Sequence, residues 1–167
     1  MTGIRELKSL CLAESRRKFP SLPSAARTVY PYSDKTANGL TRCIIDFLRF
    51  SGQFAERIAV TGRYLDQSKV VTDVMGTRRR IGSGQWVKPS MQPGTADISA
   101  TIAGRSVKIE VKIGRDKQSQ KQKEYQRQVE ASGGLYFIAK SFDQFFTWYN
   151  ELFTPANSRV KSQTNEK

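Results

Sequence analysis

Between Asp97 and Ile113 the chain alternates with a period of two, and nothing else in it constrains the fold as strongly. Ile98, Ala100 and Ile102 fall on one side; Asp97, Ser99 and Thr101 fall on the other. After Ala103-Gly104-Arg105 the alternation resumes, with Val107, Ile109, Val111 and Ile113 apolar and Lys108, Glu110 and Lys112 charged. Period two broken by a glycine-bearing turn is the pattern of a β-hairpin. Successive side chains of a strand point to opposite faces, so register decides which residues meet. A two-residue loop at Ala103-Gly104 sets Asp97 opposite Glu110, and one at Gly104-Arg105 sets it opposite Lys112. Either register puts Asp97, Glu110 and Lys112 on one polar face.

That face has a chemistry. Directly opposed side chains in a ladder lie ~4.5–5.5 Å apart at Cβ. Two carboxylates so close repel unless a cation lies between them. Mg²⁺ takes oxygen ligands, commonly one or two carboxylates completed by water and substrate phosphate. A neighbouring lysine can orient or deprotonate an attacking water, or offset phosphate charge. The reaction suggested is metal-assisted hydrolysis of a phosphodiester, with Mg²⁺ or Mn²⁺ as the cofactor. The chain contains no histidine. Ser-His-Asp and Cys-His catalysis, histidine-metal nucleases and most zinc sites are thereby excluded.

An E-x-K triplet alone is common on solvated strand faces. Here it is joined by an aspartate on the partner strand, a glycine-bearing approach and a following basic helix. Gly94-Thr95-Ala96-Asp97, then Glu110-Val111-Lys112, Ser119 to Gln122 and Gly133-Gly134 together resemble the core of a PD-(D/E)XK nuclease. The likeness is greatest to the small phage and bacterial VRR-NUC-like and Holliday-junction-resolvase-like members, and it covers roughly residues 36–153. The family's proline before the aspartate is replaced by Ala96, a position that is not a ligand. The resemblance implies a restriction-endonuclease-like α/β core, a small mixed sheet flanked by helices. It implies a Mg²⁺-dependent DNA endonuclease acting on branched, replication or repair DNA. Asp97 and Glu110, with the backbone carbonyl of Val111, would hold the metal, and Lys112 would act on the water or the developing charge. Gln122, the family's helix glutamine, would touch the phosphate or the metal's surroundings, although helix capping accounts for it equally. Many members add an acid near the first helix; Asp46 and Glu56 are the candidates, Glu56 favoured because it lies on the sheet. Resolvases of this kind are often dimers, so a homodimer is an expectation. A non-catalytic nucleic-acid-binding module of the same fold is the principal alternative, and a ribosome-associated interaction protein a second.

Lys and Arg number 28 against 15 Asp and Glu, a net charge of +13. A chain so basic is suited to a polyanion. No apolar run approaches 18 residues, so no membrane span is expected. The N-terminus lacks the apolar core of a signal peptide, and Cys11 and Cys43 lack C-x-x-C spacing. Both point to a reduced, cytoplasmic protein.

Three segments are expected. Residues 1–35 comprise an amphipathic helix (3–18, with Ile4, Leu7, Leu10 and Cys11 apolar) and a proline-rich linker. They form an appendage that lies on the core or contacts nucleic acid. Residues 36–153 form the nuclease-like domain, and 154–167 a polar, disordered tail.

Within the domain a helix carries Leu40, Ile44, Phe47 and Leu48 on one stripe, stopped at Gly52, and a strand begins at Gln53. Residues 65–93 read as a polar, turn-rich region. There Arg78, Arg79 and Arg80 beside glycines, and Lys88 beyond, suit a phosphate backbone. Trp86 reads as a core or packing residue rather than a base-stacking one. Arg115 and Lys117 stand in the loop after the hairpin, with Lys121 and Lys123 on the helix that follows. That helix opens with a capping box, Ser119 and Gln122. Residues 135–139, LYFIA, suit a buried strand, and the aromatic helix from Phe142 to Phe153 suits packing.

Overall fold

The computed structural model describes residues 2–58, 62–87 and 92–154. In chain order the elements are α1 (Thr2–Lys18), a 3₁₀ turn (Ser24–Ala26), α2 (Ala37–Phe50), β1 (Phe54–Arg57), β2 (Arg63–Asp66), β3 (Lys69–Thr72), β4 (Arg78–Ile81), β5 (Gly84–Val87), β6 (Ile98–Ile102), β7 (Arg105–Val111), α3 (Gln120–Ala131), β8 (Leu135–Ala139) and α4 (Phe142–Phe153). The protein is mixed α/β. Its central sheet has the order β1-β6-β7-β8, antiparallel except for the parallel pair β7-β8.

The hairpin turn selects the register. Ala103 and Gly104 both have positive φ, +48° and +77°, the backbone of a two-residue type I′ turn whose twist suits the flanking strands. Gln53 Oε1 accepts the Ala103 N–H at 2.9 Å, holding a non-glycine residue in this conformation. Ile102 then faces Arg105 and Ile98 faces Ile109. Of the two registers open to the sequence, the one opposing Asp97 to Glu110 is formed.

One face of the sheet presents Ile98, Ala100, Ile102, Val107, Ile109 and Val111, all buried. The stripe of α2 and the aromatic side of α4 cover it. Phe47 stands edge-on to Phe142, Phe145, Phe146 and Tyr149, with ring centroids 5.0–6.0 Å apart. α4 is thus a packing helix. α3 crosses the opposite face, where Tyr125 meets Tyr136 of β8 at 6.3 Å. No described helix is long and apolar enough to cross a membrane.

Of this expected appendage, α1 and the chain around Tyr32 pack on the core. Leu7 is fully buried and Tyr32 nearly so, in the same apolar cluster as α2 and α4. The Arg27 guanidinium folds back on the end of α1, donating to the carbonyls of Ser15, Phe19 and Leu22 at 2.6–2.7 Å. Asp34 accepts the N–H of Phe142 at 2.9 Å and Asp143 accepts that of Gly3 at 2.9 Å. The segment is stitched to α4 at both ends.

The turn-rich expectation for residues 65–93 gives way to a different arrangement. β2 pairs with β5 and β3 with β4, both antiparallel, and every pair sums to the same residue number: Arg63 with Val87, Asp66 with Gly84, Lys69 with Ile81, Thr72 with Arg78. The four strands share one register, interrupted at Gln67-Ser68 and Gly82-Ser83, and form a two-stranded ribbon. Both faces of β3 and β4 are exposed throughout, so the ribbon's outer half projects from the body. Trp86 is not a core residue: it is 62% exposed, beside Tyr64 on the partner strand and over Gly62. Lys88 and the tail beyond Thr154 lie outside the described residues.

Candidate active site

Asp97 sits at the foot of β6, one residue before the strand. Its carbonyl accepts the N–H of Ile58 at 2.8 Å, and its side-chain Oδ2 accepts the N–H of Val111 at 2.9 Å. The carboxylate therefore continues the hairpin ladder beyond the last paired residue, clamped between β1 and β7. In a strand the N–H and C=O of one residue point to the same neighbour. With its N–H on Asp97, Val111 turns its carbonyl toward that side as well.

Glu110 lies on the polar face of β7 and is 2% exposed. Its Oε1 receives the Lys112 ammonium at 3.1 Å and the side-chain amide of Gln122; its Oε2 has the Tyr136 hydroxyl at 3.5 Å. Burial raises its carboxyl above the ordinary glutamate value, and the Asp97 charge raises it further, against the pull of Lys112. Two carboxylates are thus held where at least one is an uncomfortable anion, which is the electrostatic condition for attracting a cation.

Lys112 is also buried. Its ammonium bridges Glu110 and the Asp116 carboxylate, the latter at 3.3 Å. Burial is the largest single influence and lowers its pKa, but the two carboxylates together outweigh it, and the net shift is upward. An ammonium held between two carboxylates is suited to orienting water or offsetting phosphate charge.

Gln122 caps α3 and also reaches Glu110. Its Oε1 accepts the Ser119 N–H at 2.9 Å, and the Ser119 hydroxyl accepts the Gln122 N–H at 3.3 Å, the reciprocal capping box. The other end of the same amide, Nε2, donates to Glu110. The oxygen must accept and the nitrogen must donate, so only one orientation of the amide satisfies both contacts. Capping α3 and steadying Glu110 are one device.

The additional acids part company. Glu56 is on the polar face, opposite Ser99, but is exposed on the outer strand and joins neither Asp97 nor Glu110. Asp46 belongs to α2 on the far side of the sheet and takes the Tyr32 hydroxyl at 3.0 Å; it is no part of this site. A groove of about 780 Å³ lies along α2 with Asp46, Arg42, Arg49 and Arg57 in its walls. Neither Asp97 nor Glu110 lines it. Its arginines are engaged: Arg42 over the Tyr30 ring, Arg49 on the Ala55 carbonyl, Arg57 on Asn38.

Around the buried centre, Arg115, Lys117, Lys121 and Lys123 are exposed on the loop after β7 and the first turn of α3. Arg78, Arg79 and Arg80 are exposed on β4, Arg80 held by Asp66 at 2.9 Å and Arg79 near Asp73 at 3.8 Å. Two partners escaped the sequence. Tyr136 belongs to a run that reads as wholly apolar, and only the pairing of Lys108 with Tyr136 in the parallel ladder aims its hydroxyl at Glu110. Asp116 is four residues from Lys112, a spacing without meaning where a strand passes into a loop.

Among the described residues no three His, Cys, Asp or Glu side chains gather into a metal-binding group. The two carboxylates fit a hard ion that fills its remaining positions from backbone carbonyl, water and phosphate, as Mg²⁺ does. They do not fit an ion that needs a full protein cage. The sequence matches no family model and no curated protein, so a functional reading of this site rests on its own geometry.

Proposed function

We propose that the chain is a Mg²⁺- or Mn²⁺-dependent DNA endonuclease of the PD-(D/E)XK type, acting in the cytoplasm on branched or damaged DNA, as a monomer or a homodimer. One observation carries the proposal: Glu110, buried and pushed toward its neutral form, faces Asp97 across the hairpin and is paired with a buried ammonium. A hard cation takes two such carboxylates as ligands.

Asp97, Glu110 and the Val111 carbonyl are the groups that would hold the metal. A bound metal would supply Lewis-acid polarisation of the scissile phosphate and a lowered pKa for water. The protein's own part is positioning and charge. Gln122 fixes the Glu110 carboxylate, Val111 fixes that of Asp97, and Lys112 presents its ammonium to water or to a phosphoryl oxygen. Arg115, Lys117, Lys121 and Lys123 ring the centre with sites for neighbouring phosphates. Recognition is of backbone and shape, because no base-reading motif accompanies these cations.

Metal binding to the folded state alone stabilises it. At ten times its dissociation constant Mg²⁺ should contribute about 1.4 kcal/mol, a rise of about 3–6 °C in Tm for a chain of this size. Asp97→Ala should retain the fold and lose most of the rise. Calorimetry with and without Mg²⁺ decides the matter: an equal rise in wild type and variant removes Asp97 from the site.

A further inference from the structure

In the chain the ribbon β2–β5 is inserted between Ile58, whose N–H is held by Asp97, and Asp97 itself. Arg63 is only five residues from Ile58, so the chain's reach keeps the start of the ribbon near the Asp97 end of the sheet. Each strand path from residue 63 to 72 and from 78 to 87 is ten residues, or about 30 Å at ~3.3 Å per residue, close to one turn of duplex DNA. Its stem is basic, with Arg63, Lys69, Arg78, Arg79 and Arg80 against Asp66 and Asp73. Arg78 and Arg80 share one face with Val70 and Thr72, while Arg79 shares the other with Lys69 and Val71. A two-stranded ribbon fits a DNA groove.

The tip does not follow the stem's character. Asp73 Oδ1 accepts the N–H groups of Met75 at 3.0 Å and Thr77 at 2.9 Å, and the Asp73 carbonyl accepts that of Gly76 at 3.0 Å. Gly76 completes the turn with φ of +80°. This turn is closed by its own hydrogen bonds, and it holds Val74 and Met75 outward, fully exposed and 86% exposed. Turn positions usually carry polar residues. Two apolar side chains fixed at the end of a cationic arm have the form of a wedge. Methionine is among the residues that architectural proteins insert between base steps, partly unstacking them.

We infer that Val74 and Met75 are a wedge that stacks into unpaired or unstacked bases at a branch point or nick, while the stem's arginines hold the adjoining phosphates. Base steps at a branch are already weakened, so insertion costs least there. An arm tethered five residues from Ile58 then keeps the distorted strand within reach of the carboxylates. Selection of substrate lies in the tip; affinity for DNA in general lies in the stem. The inference names the substrate class of the proposed nuclease and in that respect rests on it, but its binding step needs no cleavage.

The test uses the full chain with Ca²⁺ replacing Mg²⁺, a four-way junction carrying 2-aminopurine at the branch, and a linear duplex of the same sequence. Wild type should raise the 2-aminopurine fluorescence and prefer the junction on the order of tenfold. Val74→Ser with Met75→Ser, both at exposed positions, should leave Tm and linear-duplex affinity unchanged. It should lose both the fluorescence rise and the preference. Arg78→Ala with Arg79→Ala should instead weaken junction and duplex alike. A wild-type complex without any fluorescence change overturns the wedge. So does a tip variant that keeps the junction preference, or one whose only effect is to split a dimer in sedimentation, which would make a second copy the occupant. Unstacking by a wild-type protein that never cleaves with Mg²⁺ or Mn²⁺ sustains the wedge and sinks the nuclease.

Discussion

Gly94 lies where the chain passes beneath the first turn of α3 on its way to Asp97. Its φ is +87°, and a Cβ there would stand 2.5 Å from the carbonyl carbon and oxygen of Lys121. Backbone cannot yield cheaply, and the left-handed conformation disfavours any side chain. The glycine lets Thr95, Ala96 and Asp97 run close under Gln122, and so brings the Asp97 and Glu110 supports into register. Gly94→Ala should destabilise the protein by about 1–3 kcal/mol. It should also reduce the Mg²⁺-induced rise in Tm by more than an equally destabilising change in α1 does. Thermal melts of the two variants, with and without Mg²⁺, measure the difference; a Gly94→Ala protein with wild-type stability and metal response would show that the close approach is idle.

At the scale of elements, what the sequence discloses depends on how local the forces are. The hairpin is legible because period two and the Ala103-Gly104 turn act over a few residues; only a one-residue ambiguity of register was left, and backbone dihedrals at the turn resolve it. The Ser119–Gln122 capping box is equally local. The contact from Gln122 to Glu110 is not, for it needs α3 to fold back across β7. The ribbon of residues 63–87 was hidden because its strands are four residues each and polar, and become strands through pairing with each other. The placement of α1 was open for the same reason: an amphipathic stripe does not name its partner. Leu7, fully buried against α2 and α4, supplies it. Leu7→Ala should cost about 2–5 kcal/mol, the range for truncating a buried leucine, and comparable with Leu48→Ala. Chemical denaturation of both variants measures this. A loss below about 0.5 kcal/mol, the size of a surface effect, would mean that residues 1–35 only rest on the domain.

On the scale of the molecule, the sheet divides the labour. One face and three helices make the core; the other face bears two carboxylates, a buried ammonium and one helix with cations on its first turn. In a chain of net charge +13, cations lie on the loop after β7, on the first turn of α3 and on the ribbon, with others on α1 and α2. Phosphate contacts from such cations are interchangeable in affinity, whereas Lys112 is not interchangeable with any of them, because its ammonium is fixed between Glu110 and Asp116. An interaction made chiefly in the transition state acts on the rate and little on binding. The direct measurement is therefore single-turnover cleavage of a four-way junction with Mg²⁺ by wild type, Lys112→Ala and Lys112→Arg, with DNA affinity read separately in Ca²⁺. Lys112→Arg retains the buried positive charge and guards against simple unfolding, though a guanidinium has the wrong shape for an ammonium's place. The account predicts cleavage by wild type and a fall on the order of 10²-fold or more in both variants, with affinity changed by less than about threefold. Wild-type rates in both variants, or no cleavage by the wild-type protein with either Mg²⁺ or Mn²⁺, would contradict it.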